Sequence, residues 1–192
     1  MKKINTRKFA VVAVLTAITL FLAVTPWGII SIPPANMSFL CLPILIGTML
    51  CGLKTGMFLS AIFGISSLVK AFTAPSLLIA PLLGESPVLV VIMTVGARIL
   101  IPVFAWLVYR AFEKKGKAIG LGTGLSALVG SLTNTVCYLG MMLLFYTMVG
   151  LDSAAVLSTV AGVGALNGSL EAAAAIIICT PVVLAVKKAK LV

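Results

Sequence analysis

Residues 87–117 read PVLVVIMTVGARILIPVFAWLVYRAFEKKGK. From Pro87 to Phe112 the stretch is apolar apart from Arg98, Arg110 and a few small polar residues. That is enough chain for a helix to cross a hydrocarbon core about 30 Å thick. The basic Glu113-Lys114-Lys115-Gly116-Lys117 then interrupts it. Basic residues flanking membrane helices stay cytoplasmic, so this segment predicts a span that carries a cation inside the membrane and ends at the cytoplasmic face.

Working outward, five further apolar runs fit the same reading: 8–24, 38–53, 57–71, 118–148 and 154–186. Lys2, Lys3, Arg7 and Lys8 precede the first, Lys54 sits between the second and third, and Lys187, Lys188 and Lys190 end the chain. With six spans, every cation except Lys70 and Arg98 falls on one side. The expected fold is an all-α membrane protein: one domain over residues 1–192, six transmembrane helices, N- and C-termini cytoplasmic, multi-pass in the plasma membrane. Composition agrees, with 61% hydrophobic residues, 9% charged residues and a mean hydropathy of +1.26.

The first run could be a signal peptide, but no small-x-small cleavage site follows Val24, and Pro26-Trp27 suits a retained interfacial end. The net charge of +10 is punctuation between apolar runs rather than a basic face, which argues against nucleic acid. Cys41, Cys51, Cys137 and Cys179 are far apart inside apolar runs, and the chain has no His; they read as small apolar filler, with no metal site. Catalysis finds no support: the four acids are scattered and no Gly-x-Ser-x-Gly elbow occurs. No nucleotide-binding loop is present either.

The connections carry information. Residues 25–36 mix Trp27 and isoleucines with prolines and glycine, and such a segment needs cover for its apolar side chains. Residues 72–86 form a second apolar outer loop, whereas Lys54-Thr55-Gly56 predicts a tight turn between spans two and three. Small residues mark where helices can approach closely: Ala10, Ala13 and Ala17 on one side of span one, Gly120-x-x-x-Gly124, and Gly164-x-x-x-Gly168.

Polar groups at membrane depth are expensive and therefore informative. Arg98, Asn134 and Glu171 fall at comparable depth in spans four, five and six, and Asn167 lies one turn outward of Glu171 on the same face. Lys70 closes span three at its outer end. These groups can converge on an outward-opening cavity whose two cations suit an anion. A structural Arg98–Glu171 ion pair, satisfied by the two asparagines, is the other account. For Lys70 it is snorkelling to the headgroups.

Several short segments, taken in order, resemble a known family. They are Ala13-Val14-Leu15-Thr16-Ala17; Pro43-Ile44-Leu45-Ile46-Gly47 through Gly52-Leu53-Lys54-Thr55-Gly56; Ala97-Arg98-Ile99-Leu100; Gly130-Ser131-Leu132-Thr133-Asn134-Thr135; and Asn167-Gly168-Ser169-Leu170-Glu171. Together they resemble the substrate-binding S component of an energy-coupling factor (ECF) vitamin transporter, nearest its pantothenate-type branch. Alanine stands before Arg98 where the family pattern leads one to expect proline.

The resemblance implies a vitamin-binding subunit, not an enzyme, with Arg98, Asn134, Asn167, Glu171, Lys70 and Trp27 as candidate substrate-binding residues. Ala10, Ala13 and Ala17 would dock on a transmembrane coupling subunit, and the two outer loops would cap the pocket. ATP would be used by two partner ATPase subunits, with no cofactor in this chain. An anionic vitamin such as pantothenate fits the two cations. The alternatives are another vitamin, riboflavin or similar, and a self-sufficient secondary transporter with Glu171 as proton site. A purely structural membrane protein is a third class.

Overall fold

A computed structural model describes residues 6–25, 27–32, 35–114, 119–159, 162 and 164–189. Lys2, Lys3, Pro26, Pro33, Pro34, Lys115, Gly116, Lys117 and Lys190 lie outside them. In chain order the elements are α1 (Thr6–Val24), β1 (Ile29–Ile32), β2 (Ala35–Ser38), α2 (Cys41–Cys51), α3 (Leu53–Thr73), α4 (Ile79–Glu85), α5 (Pro87–Lys114), α6 (Ile119–Val149), α7 (Ala154–Thr159) and α8 (Ala165–Lys188). Among the described residues, α1, α3, α5, α6 and α8 are long and apolar enough to cross a membrane.

The second expected span is shorter than the sequence suggested. Helix α2 has 11 residues, about 16 Å at 1.5 Å per residue. Gly52 ends it with φ 92, a left-handed conformation that costs glycine little. Helix α3 begins at the next residue, so Lys54, Thr55 and Gly56 are its first turn rather than the turn before it. At the other end, residues 35–38 pair antiparallel with β1, Ile29 opposite Ser38 and Ile32 opposite Ala35. The connection between α1 and α2 is therefore a short β-hairpin on a helical bundle, where the sequence suggested a loop.

One more difference concerns the connection between α3 and α5. The loop expected over 72–86 contains α4, and Ser86, at φ −151 and ψ 96, takes the extended conformation that a following proline imposes. Pro87 then opens α5, where its missing N–H costs nothing. The sixth expected span holds α7 and α8, and Gly164, at φ −60 and ψ −41, is already helical ahead of α8.

Helix α5 packs along α3 and α6, and α6 along α8; α2 lies against α3, α5 and α8. Two apolar clusters result. One joins Ile44, Leu45, Met49, Leu59, Phe63, Ile101, Ala127, Ala175 and Val183; the other joins Ala71, Ile79, Leu82, Val90, Met93, Met142 and Phe145. Along α5, Arg98 falls between Met93 of the second and Ile101 of the first.

The basic helix ends gather on the side of the first cluster. Lys187 Nζ lies 3.0 Å from Glu113 Oε1 and 4.9 Å from the Tyr109 ring centre, tying the end of α8 to that of α5. Helix α1 is held more lightly, burying only Leu15 and Thr19. Ala10, Ala13 and Ala17 are exposed, so internal packing does not explain that face. Gly120 and Gly124 meet α8 at ordinary contact distance, whereas a β-carbon on Gly168 would come within 3.2 Å of Thr135 Cγ2.

Candidate functional site

The site begins with a missing donor. Pro102 lies inside α5, and its ring nitrogen cannot donate to the carbonyl four residues earlier, which is that of Arg98. Ser60 of α3 takes over: its hydroxyl donates to the Arg98 carbonyl oxygen. This bond fastens α3 to α5 at the level where the Arg98 side chain leaves the backbone.

One turn beyond Ser60, on the same face of α3, Phe63 places its ring centre 4.8 Å from the Arg98 guanidinium carbon. From α6 the Tyr138 ring approaches the same carbon at 4.4 Å. Arg98 is 8% exposed, and its Nε and Nη1 have no hydrogen-bond partner among the described residues. A buried guanidinium close to two aromatic rings, with N–H groups unspent, has the chemistry to receive an anion.

Glu171 does not fill that role. The one salt bridge among the described residues joins Lys187 to Glu113, so the Arg98–Glu171 ion pair considered from the sequence does not form. Glu171 Oε1 instead accepts the backbone N–H of Ser38 at 2.6 Å. The Arg98 charge and the Asn134 side chain both act on the same carboxyl group. Buried Cys41 donates to the Ser38 carbonyl at 3.4 Å, so the end of β2 is held from both sides.

Asn134 Oδ1 and Asn167 Nδ2 are buried and have no partner among the described residues. Asn134 and Tyr138 share a face of α6, and Asn167 and Glu171 a face of α8, each four residues apart. Arg98, Asn134 and Glu171 thus come together with Asn167 one turn away. Lys70 is half-buried in the last turn of α3, two turns from Phe63 on the same face, about 10 Å along the axis. Trp27 stands 68% exposed ahead of the hairpin and is not joined to the cluster.

Sequence reasoning missed Ser60, Phe63, Tyr138 and the Ser38 backbone. A signal existed for Ser60, because Pro102 announces an orphaned carbonyl at Arg98. Tyr138 is four residues from Asn134, a spacing that shares a face. Phe63 looked like core, and the Ser38 contact crosses 133 residues with no side-chain signature. Chemically the cluster offers one cation, one carboxylate and two amides with hydrogen-bonding capacity to spare. It offers recognition, with no activated nucleophile.

Comparison with known proteins gives two findings. The family model described as "ECF transporter, substrate-specific component" matches residues 7–183. The pantothenic acid transporter PanT of Lactococcus lactis subsp. cremoris is 30% identical over 202 residues, covering 99% of this chain and 98% of that protein.

Proposed function

Because the chain belongs to the family of substrate-specific components of ECF transporters, we propose that the vitamin it binds is pantothenate, with Arg98 as the anchor of the carboxylate. The chain is a transport protein rather than an enzyme. The observation that carries the ligand reading is the Arg98 guanidinium, buried, without an ion pair among the described residues and close to the rings of Phe63 and Tyr138. An uncompensated buried cation is costly, and a ligand carboxylate would repay that cost with charge-assisted hydrogen bonds. Pantothenate also carries an amide and two hydroxyls, which suit the spare capacity of Asn134 and Asn167 and the carboxylate of Glu171. A neutral vitamin such as riboflavin would leave the Arg98 charge unmatched. The relative described as a pantothenic acid transporter supports the same choice.

Lys70 sits outward of Arg98 and draws the anion in, and Trp27 with the hairpin covers the entrance. The chain crosses the plasma membrane six times with both termini cytoplasmic, α2 and the residues before it making the short sixth crossing. The gathering of Lys187, Glu113 and Tyr109 at one end of the bundle supports that parity. Ala10, Ala13 and Ala17 dock on a transmembrane coupling subunit, and two ATPase subunits hydrolyse ATP for the import step.

The test is calorimetry on the purified protein with pantothenate and riboflavin, joined to mass spectrometry of ligand released on denaturation. Pantothenate binding with no riboflavin binding is expected. Retention of a neutral vitamin in place of pantothenate would overturn the ligand assignment.

A further inference from the structure

We propose that Phe63 and Tyr138 are positioning residues that set this site's preference for a carboxylate over a neutral isostere, by holding the Arg98 guanidinium in one plane against their rings. The proposal rests on the reading of Arg98 as the carboxylate anchor and adds how the anchor is kept selective.

A long arginine side chain reaching into a membrane bundle would ordinarily swing to the nearest carboxylate. Here Glu171 is that carboxylate, and Arg98 makes no salt bridge with it. The two rings supply the reason. Their centres lie 4.8 Å and 4.4 Å from the guanidinium carbon, inside the roughly 6 Å range of cation–π attraction. Phe63 is fully buried and comes from α3, whereas Tyr138 comes from α6, so the two packed neighbours of α5 each contribute a ring. Ser60 fixes the Arg98 backbone one turn from Phe63. Charge is thus stabilised by ring faces, which leave its hydrogen-bonding capacity intact.

Geometry then restricts the ligand. All guanidinium N–H bonds lie in the plane of the group. With rings near the guanidinium, a ligand is directed to its edge, where the N–H fork matches the two oxygens of a carboxylate. A primary alcohol in the same place offers one oxygen and no charge. Selectivity therefore depends on the plane being held, and the rings hold it.

The experiment measures affinities for pantothenate and for its neutral alcohol analogue, pantothenol, by calorimetry on the full chain in detergent or nanodiscs. Wild type, Tyr138→Phe, Tyr138→Leu and Phe63→Leu are compared, with thermal stability followed in parallel. The wild type is expected to prefer pantothenate, and Tyr138→Phe, which keeps the ring, to retain that preference. Tyr138→Leu should lose about tenfold or more of the preference through weaker pantothenate binding, with pantothenol affinity nearly unchanged. Phe63→Leu should act in the same direction. Equal weakening of both ligands by Tyr138→Leu, or an unchanged ratio, would show that the ring only fills space and would overturn the proposal. A wild type that binds both ligands equally is a different failure: it removes the carboxylate as Arg98's partner, and with it the selectivity that the rings would set.

Discussion

Glu171 Oε1 and the backbone N–H of Ser38 are joined at 2.6 Å, although 133 residues separate them in the chain. The bond links the second turn of α8 to the end of the hairpin and commits one carboxyl oxygen to the backbone. It explains how an acid and an arginine can share a buried cluster without pairing. A buried N–H that lost this acceptor would be left unsatisfied, at a cost of about 1–3 kcal/mol.

Removing that acceptor should free the hairpin. In Glu171→Ala the Ser38 amide is expected to exchange hydrogen roughly 10–100 times faster, the equivalent of the lost bond. Glu171→Gln keeps an acceptor oxygen and should fall between. Hydrogen exchange of the purified protein measures this directly. Unchanged protection at Ser38 in the alanine variant would mean that the hairpin is held by other contacts.

Ser60 and Pro102 should be energetically coupled. Ser60→Ala leaves the buried Arg98 carbonyl without its hydroxyl donor and is expected to cost about 1–3 kcal/mol. Pro102→Ala restores an N–H at the right position in the helix, so Ser60→Ala in that background should cost close to nothing. Denaturation of the four proteins completes a double-mutant cycle. Additive effects would show that the serine does not replace the missing helical bond.

Much of this architecture was legible in the sequence because a membrane constrains so strongly. The apolar runs at 87–112 and 118–148 became α5 and α6 with ends shifted by a residue or two, since nothing but a helix satisfies its backbone in lipid. Arg98, Asn134 and Glu171 were legible for the same reason: polar side chains inside such runs are rare. The failures have local causes. Lys54-Thr55-Gly56 looked like a turn because it is polar, yet Gly52, one position past the end of α2, is the residue that takes positive φ. The hairpin depends on pairing between 29–32 and 35–38, which apolar periodicity does not reveal. The aromatic rings on Arg98 are ordinary core residues until the helices are packed.

Topology gives the third prediction. Leu77 is 90% exposed between α3 and α4, and Lys54 is exposed in the first turn of α3. In a cysteine-free background, Leu77→Cys should react with an impermeant thiol reagent in intact cells, whereas Lys54→Cys should react only after permeabilisation. The reverse pattern would invert the orientation.

The exposed alanines of α1 give the fourth. Ala13→Trp with Ala17→Trp replaces two small side chains on a face that the chain's own packing leaves uncovered, and bulky groups there would hold a partner helix several ångströms away. Vitamin uptake by cells carrying the whole transporter is expected to fall to background, with ligand affinity of the isolated subunit unchanged. Loss of binding together with uptake would place the face inside the folded subunit's own requirements.

The last prediction separates the two roles that Arg98 could have. As a carboxylate anchor it makes contacts that no other residue in the cluster can supply. Arg98→Ala is then expected to lose nearly all pantothenate affinity, by roughly 2–5 kcal/mol as for a truncated buried charge pair. Arg98→Lys should lose part of it, because an ammonium keeps the charge but not the planar fork. The double change Arg98→Gln with Glu171→Gln removes both charges at once, so a cluster that only balances itself would survive it. Since the two residues form no salt bridge, the double variant should bind as poorly as Arg98→Gln alone while still inserting and purifying. Near-native pantothenate affinity in that double variant would sink the anchor and leave Arg98 a structural group.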